Sequence, residues 1–155
     1  PAALGAKLAA PDRPVVLFSG DGGFWYHLAE LETAVRWNIN CALVVNNNTS
    51  LNQEIELVND AYGGQPAARH GDLWQFTDAS FAEIAPTMGA RGIKVTRPGE
   101  LDSALDEALS GQGPCVIEVM TEQTAVAPLA WLGEDQLVDP RESTATDCPG
   151  TSPWP

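Results

Sequence analysis

The sequence predicts an open, mostly parallel α/β sheet with helices on both faces. Four short strand-like runs, at residues 15–18, 41–45, 92–96 and 115–119, are each bounded by turn-prone residues. Segments with apolar residues at helical spacing lie between them, and strand–helix–strand units of this kind place their strands in parallel. The clearest unit spans residues 15–52, VVLFSGDGGFWYHLAELETAVRWNINCALVVNNNTSLN.

The elements follow in order. Residues 2–10 predict a first helix, with Leu4 and Leu8 at i and i+4, small residues for close packing on the sheet, and Pro11 as its stop. Residues 15–18 predict a buried strand stopping at the tight turn Ser19-Gly20-Asp21-Gly22-Gly23. A helix starting near Phe24 follows, with Leu28, Leu31 and Val35 inward and Glu30, Glu32 and Arg36 outward. Asn38-Ile39-Asn40 breaks it, and residues 41–45 form the second strand, closed by Asn46-Asn47-Asn48-Thr49-Ser50. Residues 51–58 predict a helix with Leu51, Ile55 and Val58 on one face. Residues 60–75 show no period. Their Gly63-Gly64-Gln65-Pro66 marks a loop, and Trp74 and Phe76 are expected to anchor its return to the core. Asp78 is the expected cap of a helix running through Phe81 toward Met88, where Pro86 predicts a kink or an early stop and Gly89 ends it. Residues 92–96 form the third strand. Pro98 opens a helix with Leu101, Ala104, Leu105, Ala108 and Leu109 as its apolar stripe, and residues 115–119 form the fourth strand.

Residues 1–125 thus read as one domain and 126–155 as a tail. In the tail, Pro128, Leu129, Trp131 and Leu132 are candidates to dock as a short segment. Residues 141–155, rich in Ser, Thr and Pro, are expected to be disordered or loosely attached. The chain opens at Pro1 already in a helical pattern, which suggests the carboxyl-terminal piece of something longer.

Bulk properties limit the function. At 155 residues the chain is long enough for a real core. A formal net charge of −13 argues against nucleic-acid binding, which needs clustered Lys and Arg. The three cysteines make no disulfide framework. Cys41 and Cys115 read as buried thiols within strands and Cys148 lies in the tail, so a reduced, cytoplasmic setting is the default expectation. No apolar run of membrane-spanning length and no basic-then-apolar leader is present.

The chemistry gathers at one rim. Parallel strands end on the same edge, where open α/β sheets bind ligands, so Asp21 and Asn48 are expected close together. Gly20, Gly22 and Gly23 let backbone N–H groups approach a ligand, and a helix start adds a positive dipole end; both favour phosphate. A carboxylate beside a phosphate requires a cation between them. The Asp21 carboxylate, the Asn48 amide oxygen and a loop carbonyl are hard ligands of the kind Mg²⁺ takes. A nicotinamide-binding G-x-G-x-x-G turn fails, because Trp25 stands where the third glycine would be.

Gly20-Asp21-Gly22, twenty-four residues (23 to 46) and Asn47-Asn48 together resemble the paired signature of thiamine-diphosphate enzymes. The resemblance covers residues 1–125 and is closest to acetolactate-synthase and benzoylformate-decarboxylase relatives. It implies thiamine diphosphate and Mg²⁺ as cofactors, with the metal held by Asp21, Asn48 and the backbone carbonyl of Ser50. Gly20, Gly22, Gly23, Phe24 and Leu51 would complete the cofactor site. Pairing Asn46-Asn47 instead would move the ligands to Asn47 and Thr49; the usual separation in the family favours Asn48. Asn52, Gln53 and Glu54 are candidates to line a substrate pocket, with a solvated helix face as the plainer reading of each. His70 is weighed as an acid–base group, although a lone loop histidine is more often a surface residue. Trp131 would cover an active site only if the tail folds back, and simple packing is its plainer role.

The resemblance further implies a carboligase or decarboxylase (transferase or lyase) acting on 2-oxo acids, built as a homo-oligomer. No catalytic residue is assigned within this chain. The glutamate that activates the cofactor is expected in a separate pyrimidine-binding domain, of the same or a partner subunit, so the chain alone is expected to be inactive. The alternative is a truncated cofactor-binding module without activity of its own.

Overall fold

The computed structural model describes residues 1–64 and 69–125. Helix α1 (Ala2–Ala9) leads into β1 (Val16–Gly20), followed by α2 (Asp21–Trp25), α3 (Glu30–Arg36) and β2 (Ala42–Asn47). Then come α4 (Glu54–Ala61), a 3-10 turn at His70–Leu73, α5 (Phe81–Thr87), β3 (Arg91–Val95), α6 (Leu101–Ser110) and β4 (Cys115–Met120). The four strands form one parallel sheet in the order β1-β2-β4-β3. The expected α/β class and its helices on both faces are what the chain adopts. Among the described residues no helix is long and apolar enough to cross a membrane. The expectations for Trp131 and the rest of the tail, Cys148 included, lie outside the described residues.

Side-chain alternation along β2 divides the core in two. Leu43 and Val45 pack with Leu4, Phe24, Leu31, Ala34, Phe81 and Ala85, so α1, α2, α3 and α5 cover one face. Ala42 and Val44 pack with Ala104 and Ala108 of α6 on the other. The handedness of the crossovers accounts for this. The steps from β1 to β2 and from β2 to β3 run one way across the sheet, while the step from β3 to β4 runs back. A right-handed return must carry its helix over the opposite face.

The chain differs from expectation at several elements. β1 is not buried: Val16 and Phe18 are 49% and 72% exposed, because α6 covers β2 and β4 but does not extend over β1. The helix expected near Phe24 begins earlier, at Asp21, and is broken into α2 and α3. The break carries i→i+3 bonds from His27 to Phe24, Glu30 to His27 and Leu31 to Leu28. It lets Phe24 and Trp25 both turn onto Phe81, at ring-centroid distances of 5.2 and 4.8 Å. The helix expected at residues 51–58 starts only at Glu54: Ser50 is still bridged to Gln75, and the turn that follows closes with i→i+3 bonds, from the Glu54 N–H to the Leu51 carbonyl at 2.9 Å and from the Ile55 N–H to the Asn52 carbonyl at 3.2 Å. Asp78 does not cap α5; a strand residue does so instead. Pro86 lies within α5, which stops one residue later, and the left-handed Gly89 (φ 89°) turns the chain into β3. On α6, Leu109 is exposed and only Ala104 and Ala108 are fully inward.

Candidate functional site

β1 and β2 run side by side with Gly20 opposite Asn46, so the segments that follow them share one rim. Gly20 is the extended residue before α2, and a Cβ there would meet nothing within 4 Å. Asp21 opens α2 and is buried. Its Oδ1 accepts the Gly22 N–H at 2.8 Å, and its Oδ2 accepts the Ser50 N–H at 3.0 Å. That second bond ties the two halves of the motif together across 29 residues.

The asparagine run turns sharply. Asn47 Oδ1 accepts the Thr49 N–H at 3.0 Å, closing a side-chain-mediated turn that holds Thr49 in the left-handed region at φ 58°. Asn48 Oδ1 accepts both the Ser50 N–H and the Ser50 hydroxyl, each at 3.1 Å. The exit is pinned by Phe76 N–H to the Thr49 carbonyl, 2.8 Å, and by a bridge between Ser50 and Gln75. Trp74 and Phe76 therefore hold the loop's return, but through their backbone groups and at the rim rather than in the core expected for them, since neither side chain is among the buried core residues.

A cleft of about 310 Å³ opens at this rim. Of the residues expected at the site, Gly20, Asp21, Gly22, Gly23, Asn48, Ser50 and Leu51 line it. Asn46 joins them, as do Asn52, Gln53 and Glu54. The Phe24 side chain does not; it is buried in the core, which leaves only its backbone for any ligand. Gly22 faces inward, where a Cβ would stand 2.5 Å from Leu51 Cδ2 and 3.5 Å from the Phe76 ring. His70 is not part of the cleft; it packs against Tyr62 (ring centroids 5.6 Å apart) beside Arg69 and Asp72. A separate hollow of about 240 Å³ between α1, β1 and α2 is walled by Leu4, Leu17, Phe24 and Leu31 and lacks the rim's oxygen ligands.

Sequence reasoning misses Glu118. This β4 residue is fully buried, and all its partners are donors. Its Oε1 accepts Asn47 Nδ2 at 2.7 Å, and its Oε2 accepts the Ser80 hydroxyl at 2.6 Å and the Ala82 N–H at 3.1 Å. It is Glu118, from the strand, that caps α5. Burial pushes its pKa up, but the bonds from Ser80, Asn47 and Ala82, with the charge of Lys94, outweigh that and hold the carboxyl below its ordinary range. The available signal was one acid within the apolar run Cys-Val-Ile-Glu-Val.

The donor set fits a hard cation and a diphosphate. Among the described residues no three His, Cys, Asp or Glu side chains cluster to hold a metal. A cation at the rim would rely on Asp21, on amide and backbone oxygens, and on the ligand's own phosphates, which is the habit of Mg²⁺. A carboxylate has about four lone-pair sites, so Asp21 keeps capacity beyond its two backbone bonds. Asn48 Oδ1 already accepts two donors, and the Ser50 hydroxyl is the one free to rotate away. Gly20 and Gly23, both exposed, present backbone with no side chain in the way.

Comparison with known proteins bears on the same residues. The family model described as "Thiamine pyrophosphate enzyme, C-terminal TPP binding domain" matches residues 1–119. The acetolactate synthase large subunit of Haemophilus influenzae is 37% identical over 110 residues, 71% of this chain and 18% of that protein. The sulfoacetaldehyde acetyltransferase of Alcaligenes xylosoxydans is 38% identical over 124 residues, 77% of this chain and 20% of that one. A thiamine diphosphate-dependent 4-hydroxybenzoylformate decarboxylase from Rhodococcus jostii RHA1 superposes with a TM-score of 0.68 at 28% identity, over 78% of this chain and 22% of the decarboxylase. The chain thus spans about a fifth of the length of these relatives. With its glycine turn and asparagine turn joined at one rim, the chain belongs to the thiamine pyrophosphate enzyme family, as its C-terminal cofactor-binding domain.

Proposed function

We propose that this chain anchors the diphosphate of thiamine diphosphate through Mg²⁺, in an enzyme that acts on 2-oxo acids as an acetolactate-synthase-like carboligase or decarboxylase. The observation that carries the reading is the Asp21–Ser50 hydrogen bond beneath a cleft lined by Gly20, Asp21, Asn48 and Ser50. Asp21, the Asn48 amide oxygen and the Ser50 carbonyl would hold the metal. Asn48 is favoured over Asn47 because the Asn47 side chain is buried on Glu118 while Asn48 lines the cleft. The Gly20 to Gly23 backbone would lie along the diphosphate.

Thiamine diphosphate, when bound, supplies the nucleophilic carbon and the electron sink for making or breaking a C–C bond next to a carbonyl. This chain's residues bind and orient one end of it. Asn52, Gln53 and Glu54 line the cleft wall beyond Leu51, which supports a role for them in meeting a substrate. The relatives' names, a synthase, an acetyltransferase and a decarboxylase, support a group-transfer or lyase reaction in a protein about five times longer. The activating acid would come from a pyrimidine-binding domain of the same or a partner subunit in a homo-oligomer. The buried thiols Cys41 and Cys115 favour the cytoplasm.

Calorimetric titration of the full-length protein with thiamine diphosphate, with and without Mg²⁺, tests the reading. Asp21→Ala should abolish Mg²⁺-dependent binding, and Asn48→Ala should weaken it more than Asn46→Ala. Equal effects at Asn46 and Asn48 would overturn the ligand assignment, and unchanged binding by Asp21→Ala would overturn the site.

A further inference from the structure

Glu118 has three hydrogen bonds but only two of them serve helix α5. Ser80 and Ala82 sit at the start of that helix, and Oε2 accepts from both. Oε1 reaches the other way, to Asn47, whose own Oδ1 shapes the turn by accepting the Thr49 N–H. The turn then delivers Asn48 to the cleft and the Ser50 N–H to Asp21. A continuous line therefore runs from Glu118 through Asn47 and Thr49 to Ser50 and Asp21.

We propose that Glu118 is a positioning residue for the cofactor-binding turn, holding the Asn47 amide in the one orientation that lets it shape residues Asn47 to Ser50. The proposal rests on the assignment of the cleft to Mg²⁺ and diphosphate. Glu118 itself touches neither the cleft nor a ligand.

The balance of donors and acceptors fixes that orientation. Asn47 has an acceptor end and a donor end, and its neighbours ask for one of each. Thr49 N–H needs an acceptor. Glu118, together with the Ala79 carbonyl at 3.3 Å, needs a donor. A carboxylate serves because both its oxygens accept, and Glu118 faces three donors at once. Glutamine has the same shape but only one acceptor. Its oxygen would serve Ser80 and Ala82, the side with two donors, and its NH₂ would then face Asn47 Nδ2. To escape that clash the Asn47 amide must invert, and an inverted amide turns a donor toward the Thr49 N–H. Glu118→Gln therefore opens the turn while keeping the volume of the side chain. Changing Asn47→Asp in the same chain repairs it. The introduced glutamine then donates to one oxygen of the introduced aspartate, the other oxygen accepts the Thr49 N–H, and the net charge is that of the wild type; only the long 3.3 Å bond to the Ala79 carbonyl is given up.

The test is calorimetric and needs no turnover. In the full-length protein, the Mg²⁺ concentration that half-saturates thiamine diphosphate binding is measured alongside the Tm of the metal-free protein. Glu118→Gln should need about 10- to 100-fold more Mg²⁺, the usual cost of losing a group that orients a ligand residue. Asn47→Asp alone, with two carboxylates opposed, should lose at least as much. The double variant should return to within about twofold of wild type, the scatter with which independent effects add. Wild-type Mg²⁺ dependence in a folded Glu118→Gln protein overturns the proposal, as does a double variant no better than the worse single. Should Glu118→Gln fail to fold, Asn47→Ala leaves the cap on α5 intact and must show the same Mg²⁺ shift; an unshifted Asn47→Ala overturns the proposal. Asp21→Ala separates the two readings. If it loses binding while Glu118→Gln and Asn47→Ala keep theirs, only the positioning role fails. If it binds as wild type, the cleft assignment fails and the positioning role with it.

Discussion

Both carboxylate oxygens of Asp21 are engaged by backbone N–H groups, one from its own turn and one from the asparagine turn. An anionic side chain held this way is fixed before any ligand arrives, so its orientation costs nothing further on binding. Gly22 contributes differently from its neighbours. Gly20 is open toward the cleft, whereas the missing side chain of Gly22 makes room for Leu51 and Phe76. Gly22→Ala should therefore act by overpacking, at about 1–3 kcal/mol, rather than by blocking the diphosphate. Leu51 Cδ2, at 2.5 Å, is the end of a flexible side chain, so the strain should be relieved in the Gly22→Ala/Leu51→Ala double variant. Urea unfolding of the four proteins measures this coupling. Additive losses would place the clash elsewhere. At this scale the paired motif is legible in the sequence, because residue types and separation alone carry it. Glu118 is not, because its partners Asn47, Ser80 and Ala82 lie 36 to 71 residues away and nothing local marks a buried acid as paired. The inward turn of Gly22 is equally hidden, since a glycine does not announce which neighbour needs its space.

Elements with strong internal periodicity are the legible ones. Strand β4 falls within a residue of expectation, and helix α6 holds its expected stripe and its end before Gly111, although its first turn, Pro98–Glu100, is 3-10 and the α-helix begins only at Leu101; an apolar run between turn residues and a three-four stripe each fix most of their own limits. Helices whose ends depend on distant partners depart from it. The start of α4 is displaced because the chain before it is still paired with residues 74–75, through the Ser50–Gln75 bridge and the Leu51–Trp74 bond, and α5 takes its cap from β4 rather than from Asp78. That cap carries a pH signature. The Glu118 pKa is depressed in the folded chain, so its contribution is fully present above the unfolded value and is lost as pH falls through the folded one. The Tm difference between wild type and Glu118→Gln should accordingly be large at neutral pH and shrink as acid protonates Glu118 in the wild type. A difference independent of pH down to acid unfolding would mean that the charge does not contribute. Cys41, by contrast, is pushed up to about 11 by burial, which keeps it an unreactive thiol at neutral pH.

At the scale of the whole molecule, the described residues leave apolar surface uncovered. Val16 and Phe18 stand on the face of β1 that no described helix covers, and Leu8, Tyr26 and Trp37 are exposed as well. The run of residues 15–18 predicts a strand but says nothing about which of its faces has a neighbour, which is why the sequence alone suggests a buried β1. Among the described residues β1 also pairs on one side only, with β2, so its other edge offers unpaired backbone groups there. The chain spans a fifth of its relatives, and the proposed role has it hold only the diphosphate end of the cofactor; two measurable outcomes are expected. The 155-residue chain alone should self-associate, since a bare apolar face beside an open strand edge favours further association. Phe18→Lys should shift it toward monomer in sedimentation velocity, and an unchanged distribution would remove β1 as the contact. It should also release no measurable CO₂ from 2-oxo acids with Mg²⁺ and saturating thiamine diphosphate. General acid–base assistance is worth about 10²–10⁴-fold and correct orientation of the reacting groups more, and neither is provided by residues that hold a diphosphate. Turnover by the isolated chain that vanished with Asp21→Ala would mean that an activating acid lies within it. Glu54, exposed at the wall of the cleft and at the start of α4, would then be the first residue to replace.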